Sequence, residues 1–105
     1  MSHSEFSLYY VTCPDQKTAE GIGESLLNQK LIACTNILPG MTSQYWWQGK
    51  LEKSQEVVLI LKGKSAHKAA IEKQVLALHP YETPCFLQLA VKDGSQAYLN
   101  WIGSI

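Results

Sequence analysis

Apolar positions recur along the chain with two periods. "SLYYVT" at residues 7–12 is rich in β-branched and aromatic residues and predicts a first strand. Ala19, Ile22 and Leu26 then recur at spacings of three and four, which predicts an amphipathic helix over residues 15–29. Pro14 suits the first turn of that helix, and Asp15 favours the positive end of its dipole. Gly21 and Gly23 lie inside it. Each weakens a helix by about 1 kcal/mol relative to alanine, so close packing is expected there. Residues 31–47, "LIACTNILPGMTSQYWW", read as one long extended stretch. Pro39-Gly40 interrupts it, because proline lacks a ladder donor and glycine permits a bulge or bend. Gln48-Gly49 predicts a hairpin turn, and "KLEKSQEVVLILK" at residues 50–62 predicts the returning strand. Ser65 is placed to cap a second helix, one face of which runs through His67, Ile71, Val75 and Leu78. Pro80 stops that helix at His79. "CFLQLAV" after Pro84 predicts a fourth strand, and the tail "GSQAYLNWIGSI" a last helical turn.

The order is βαββαβ in a single domain of residues 1–105, with residues 1–5 expected to fray. It predicts an α+β, ferredoxin-like subunit: an antiparallel sheet, both helices on one face, and a long hairpin joining the second and third strands. A sheet of this kind ordinarily leaves its other face wet, with alternating polar and apolar positions. These strands do not alternate. "VVLIL" at residues 57–61 is apolar on both faces, as are Leu8 to Val11, and Gln88 alone breaks one face of the fourth strand. The chain has no spare helix for the second face, so another subunit is expected to cover it. Tyr45, Trp46 and Trp47 crowd beside the turn. Neighbouring strand residues face opposite sides, so one indole must face away from any single sheet. The alternative is a hairpin whose aromatics cover their own sheet.

With 105 residues and 46% apolar content, the composition is that of one compact domain. No apolar run approaches the roughly 18 residues that span a bilayer. The polar start lacks the basic and apolar regions of a signal peptide, and a cytoplasmic location is expected. Nine lysines balance nine acids and there is no arginine, so neither a basic surface nor the guanidinium fork used by nucleic-acid readers is present. Three cysteines, Cys13, Cys34 and Cys85, without CxxC spacing, read as free thiols rather than a zinc finger.

Candidate chemistry is sparse. Cys34 and His79 would make a nucleophile–base pair if the fold joined them; otherwise Cys34 is a small buried hydrophobe. His79 is either a cation at a helix C-terminus or a metal ligand, with Cys85 six positions on and Glu82 between them as a soft site for copper. Tyr81 and Pro84 are expected to fix this connection against the sheet. Lys50 and Lys62 stand at the two ends of the third strand, as solvated charges or, if a neighbouring subunit encloses them, as holders of a small anion.

Three segments in register carry a resemblance. "ACTNILPGMTSQYWWQGK" (33–50), "HPYETP" (79–84) and "YLNW" (98–101) closely resemble the CutA-type divalent-cation tolerance proteins. The resemblance implies a homotrimer of ferredoxin-like subunits, cytoplasmic in bacteria and without an assigned reaction. It implies a part in tolerance of copper and other divalent cations, and a trimer similar to that of the PII signalling proteins, which bind effectors in clefts between subunits. No obligatory cofactor, nucleic acid or membrane is implied. The residues expected to matter are His79, Cys85 and Cys34 for a metal; Lys50, Lys62, Trp47, Tyr81 and Glu82 for a ligand cleft; and Tyr45, Trp46, Trp47 and Trp101 for the trimer interface. Cys85 stands where the family usually has an acid, which shifts any metal site toward softer ions. Gln48 also replaces a common acid. Two other readings stay open: a PII-like module binding an anionic effector, and an enzyme using Cys34 and His79.

Overall fold

A computed structural model describes residues 4–105. The elements follow the order β1 (Phe6–Cys13), α1 (Gln16–Asn28), β2 (Cys34–Trp47), β3 (Lys50–Lys64), α2 (Lys68–Leu78), β4 (Phe86–Ala90) and α3 (Gln96–Gly103). A single turn of 3-10 helix, Ser65–His67, leads into α2. The sheet order is β2-β3-β1-β4, with every neighbouring pair antiparallel. This is the expected ferredoxin-like α+β arrangement.

The first strand buries alternate residues, and its period of two sets the core. Tyr9, Val11 and Cys13 face the helices together with Val57, Leu59 and Leu61 of β3. Ala19, Ile22 and Leu26 of α1 and Ile71 and Val75 of α2 close the core over them. Asp15 is the N-cap of α1; its carboxylate accepts from the Thr18 backbone N–H at 2.7 Å. That hydrogen bond holds its carboxyl below the ordinary range. Pro14 therefore lies just outside the helix. The close packing expected at the two glycines occurs at one. A Cβ on Gly23 would stand 2.8 Å from Cγ2 of Thr35 on β2, whereas one on Gly21 would meet open space.

Several local expectations are corrected. The segment 31–33 precedes β2, because the chain turns at Lys30, which adopts a positive φ of 57°. Ser65 caps no helix; its hydroxyl bonds that of Ser7 at 2.6 Å. Leu78 is exposed rather than part of the packed face of α2. Gln88 faces the helix side, where it donates to Ser7 Oγ at 3.0 Å. The tail forms an eight-residue helix, capped by Ser95, rather than one turn. Of the residues expected to fray, 1–3 lie outside the described residues, while the Glu5 carbonyl accepts from the Ser65 N–H at 2.9 Å.

β1 pairs with β3 only as far as Cys13↔Val57. Beyond that point β2 and β3 continue alone, from Met41↔Glu56 to Trp47↔Lys50, as a two-stranded ribbon. One extra residue at Pro39-Gly40 marks where the ribbon leaves the sheet, with Gly40 at φ 79°. Gln48 (φ 50°) and Gly49 (φ 78°) turn it back with both central residues in the left-handed region, the type I′ geometry that matches strand twist. Trp46 and its partner Leu51 project from one side of the ribbon, 74% and 65% exposed. Leu38, Leu87 and Leu89 remain exposed on the sheet face away from α1 and α2, so the second apolar face is real and uncovered within one chain. α3 reaches that face at one end only, where Gly103 sits against the Phe6 ring. Among the described residues no helix is long and apolar enough to cross a membrane.

Candidate functional site

A cleft of about 650 Å³ opens where the ribbon leaves the sheet. Strand alternation builds its floor and first wall. Thr12, Glu56, Ser43, Tyr45 and Trp47 all fall on the face opposite the core, because Thr12 pairs Val58 and each of the others keeps that register. The connection between α2 and β4 supplies the second wall, with Pro80, Tyr81, Glu82, Thr83 and Cys85.

His79 holds that wall in place. Its ring Nε2 lies 2.7 Å from the Thr12 carbonyl, and its Nδ1 lies 3.2 Å from the Tyr81 backbone N. A carbonyl can only accept and an amide N–H can only donate, so Nε2 carries the proton and Nδ1 offers its lone pair. The ring is buried and packs against Tyr81, with centroids 4.7 Å apart. Pro80 excludes further helix, and Tyr81 is delivered over the cleft. Its phenol donates to Glu56 Oε2 at 3.0 Å. Burial, then the hydrogen bond to Glu56 and its charge, push the Tyr81 phenol up to about 12. Burial also raises the Cys85 thiol, and it pushes Cys13, behind the floor, up to about 11 with help from Asp15 and Glu56. At neutral pH both are thiols, which are weak nucleophiles and weak metal ligands.

A second polar group lies at the far end of the sheet. Lys62 Nζ donates to the Tyr98 hydroxyl at 3.2 Å, and the same hydroxyl is 3.6 Å from Cys34 Sγ. Trp101 packs beside Tyr98, with ring centroids 5.6 Å apart.

The fold thus divides the residues expected to share a site. Trp47, Tyr81, Glu82 and Cys85 meet in the cleft, joined by Tyr45. Lys62 and Cys34 do not. They pair with each other across β2 and β3 opposite Leu8, four residues along β1 from Thr12, or roughly 13 Å at strand rise. Lys50 sits across the hairpin from Trp47 and does not line the cleft. No nucleophile–base pair forms between Cys34 and His79. The expected metal set does not assemble either: both ring nitrogens of His79 are engaged, and among the described residues no three histidine, cysteine or acidic side chains gather closely enough to hold an ion. A copper ion does not fit these residues within one chain. Glu56 was not anticipated. Its signal was there, since it stands in register with Val58 and Ile60 as the one acid beginning an apolar open face.

Comparison with known proteins agrees with the fold over nearly its whole length. The family described as CutA1 divalent ion tolerance protein matches residues 7–104. The divalent-cation tolerance protein CutA of Yersinia pestis (strain Pestoides F) is 39% identical over 104 residues, covering 99% of this chain and 87% of that one. The crystal structure of CutA from Xylella fastidiosa superposes with a TM-score of 0.92 at 40% identity, covering 96% of this chain and 97% of that one. CutA1 from the psychrotrophic bacterium Shewanella sp. SIB1 gives 0.94 at 35% identity, covering 98% and 96%. With motifs, topology and both comparisons in agreement from the first strand to the last helix, the chain belongs to the CutA1 divalent-ion tolerance family.

Proposed function

We propose that the chain is a non-catalytic, self-associating binding protein that contributes to tolerance of divalent metal ions, working as a homotrimer with the cleft as its ligand site. The ribbon carries this reading. A two-stranded ribbon is marginal in water on its own, and this one exposes Trp46 and Leu51 while the sheet beside it exposes Leu38, Leu87 and Leu89. One copy's ribbon laid on the next copy's sheet removes both exposures at once, and repetition around a three-fold axis closes the assembly. The tolerance role falls to the assembly and its cleft rather than to a copper centre on His79, because that ring is occupied in holding the wall. An anionic effector is not favoured here, since neither lysine expected to hold one lines the cleft. Free Cys13, Cys34 and Cys85 suit a reducing compartment, the cytoplasm.

Two measurements test this. Light scattering at low micromolar concentration is expected to give about 35 kDa, three chains of 11.7 kDa; a folded protein of one chain's mass overturns the assembly. Growth of a strain lacking the gene is expected to be more sensitive to added copper and restored by the wild-type chain. Unchanged sensitivity overturns the tolerance role.

A further inference from the structure

Glu56 is the one buried acid among the described residues. It is only 7% exposed, yet among the described residues the sole ion pair is Lys68 with Glu72, on the surface of α2. Its one hydrogen-bond donor is the Tyr81 hydroxyl, at Oε2. The other oxygen, Oε1, has no partner among the described residues. Among the described residues no fully buried side-chain oxygen is left without one, so Oε1 keeps some exposure, and Glu56 lines the cleft. A carboxylate with one free oxygen on a cleft wall can accept from a charged donor that enters the cleft.

The rest of the cleft says what kind of charge. Tyr81 stands on the acid, Tyr45 and Trp47 line the cleft four and six residues further along the ribbon from Met41, the partner of Glu56, and Glu82 adds a second carboxyl group. Among the described residues no lysine or histidine lines it, so they offer an anion no counter-charge there. The Cys85 thiol also lines it, and burial raises its pKa and keeps it protonated. Among the described residues Glu56, Glu82 and Cys85 do not gather closely enough to hold a metal ion. Aromatic faces beside a carboxylate suit an organic ammonium, whose N–H groups reach Oε1 while its apolar body lies on the rings.

We propose that the cleft binds a small organic cation, a primary aliphatic amine or diamine, with its ammonium group on Glu56 beside the Tyr81 ring and its carbon chain running along the cleft toward Tyr45 and Trp47. This rests on the cleft being the ligand site. It names the ligand's chemical class, opposite in charge to the anion expected from Lys50 and Lys62.

The test is calorimetric titration of the assembled wild-type protein with 1,4-diaminobutane, with butyrate and 1-butanol as the anionic and neutral probes of equal chain length. The diamine is expected to bind saturably, to weaken as salt is raised, and to shift the Trp47 indole N–H resonance; butyrate and butanol are expected not to bind. Glu56→Gln keeps the shape and an acceptor for Tyr81, and is expected to weaken the diamine at least ten-fold. Should that variant fail to fold, Trp47→Ala, which removes one exposed wall, is expected to weaken it several-fold. Glu52→Gln, on the same strand but outside the cleft, is expected to bind as wild type. Equal diamine affinity in wild type and Glu56→Gln overturns the proposal, as does preferential binding of butyrate. So does a loss of trimer mass in Glu56→Gln with no diamine binding to wild type, which would give Glu56 to a neighbouring chain's cation. Wild-type mass and copper sensitivity are read separately, so a cleft that rejects amines leaves the assembly and tolerance role standing.

Discussion

His79 shows how a residue suited to one chemistry is committed to another. As a free imidazole it would be a metal ligand, but its two nitrogens bridge the Thr12 carbonyl and the Tyr81 N–H. His79→Ala leaves both backbone groups without their partner and is expected to cost about 1–3 kcal/mol in urea denaturation. Copper affinity by calorimetry is expected to match wild type. A ten-fold loss of copper affinity without loss of stability would return His79 to a metal site. Tyr81 gives a pH dependence. Its phenol titrates near its ordinary value of about 10 in the unfolded chain and at about 12 in the fold. The folded state therefore holds this proton more tightly. The stability it contributes is intact below pH 10 and is lost as the pH rises through about 12. Tyr81→Phe is expected to flatten the fall in stability between about pH 10 and about pH 12, measured by chemical denaturation. The slope that remains includes Tyr9, whose phenol burial also raises, and Cys13.

At the scale of elements, two glycines two residues apart in α1 have opposite roles. Gly23 lets the helix approach Thr35 of β2 so closely that a methyl group would stand 2.8 Å from Cγ2. Gly23→Ala forces the Thr35 side chain out of its rotamer or the helix away from the strand, and is expected to cost about 1–3 kcal/mol. Gly21 meets nothing, so Gly21→Ala is expected to leave stability unchanged or raise it by up to about 1 kcal/mol through helix propensity alone. Thermal melts of the two variants at one protein concentration make the comparison, and equal shifts would show that α1 is not seated on β2 as described. Helical spacing separates the two, because Gly23 falls with Ala19, Ile22 and Leu26 on the stripe of spacing three and four, and Gly21 falls off it. That the contact on this stripe is Thr35 depends on where β2 crosses the helix, and no local pattern encodes that.

For the whole molecule, the decisive feature is apolar surface left uncovered. Leu87 and Leu89 project from β4, 57% and 49% exposed, on the face that also carries Leu38. Replacing both with lysine is expected to move the light-scattering mass from about 35 kDa toward 11.7 kDa. It is also expected to remove the dependence of the melting temperature on protein concentration that linked folding and assembly give the wild type. An unchanged mass would place the interface elsewhere. Thiol titration of the denatured protein without reductant is expected to find all three cysteines; one thiol per chain would mean a disulfide and a different compartment.

The order of elements, the bulge at Pro39-Gly40 and the turn at Gln48-Gly49 were all legible in the chain, whereas strands apolar on both sides left open which face is the core. Periods of 2 and 3.6, proline's missing donor and glycine's positive φ act over a few residues, and so they are written where they act. The two-sided apolar strands were legible for the same reason, and they carried the expectation of assembly. The site was legible only in part. Trp47, Tyr81, Glu82 and Cys85 were singled out and do share the cleft, but Cys34, Lys62 and Lys50 were grouped with them and lie elsewhere. Glu56 was passed over as one acid among nine. Its burial arises because β3 carries it beneath a connection that reaches it from a point 25 residues later, at Tyr81. Contacts of that span are set by strand register and by where the chain returns to the sheet. A side chain's type fixes what it can do, but its partners depend on which distant segment the fold brings beside it.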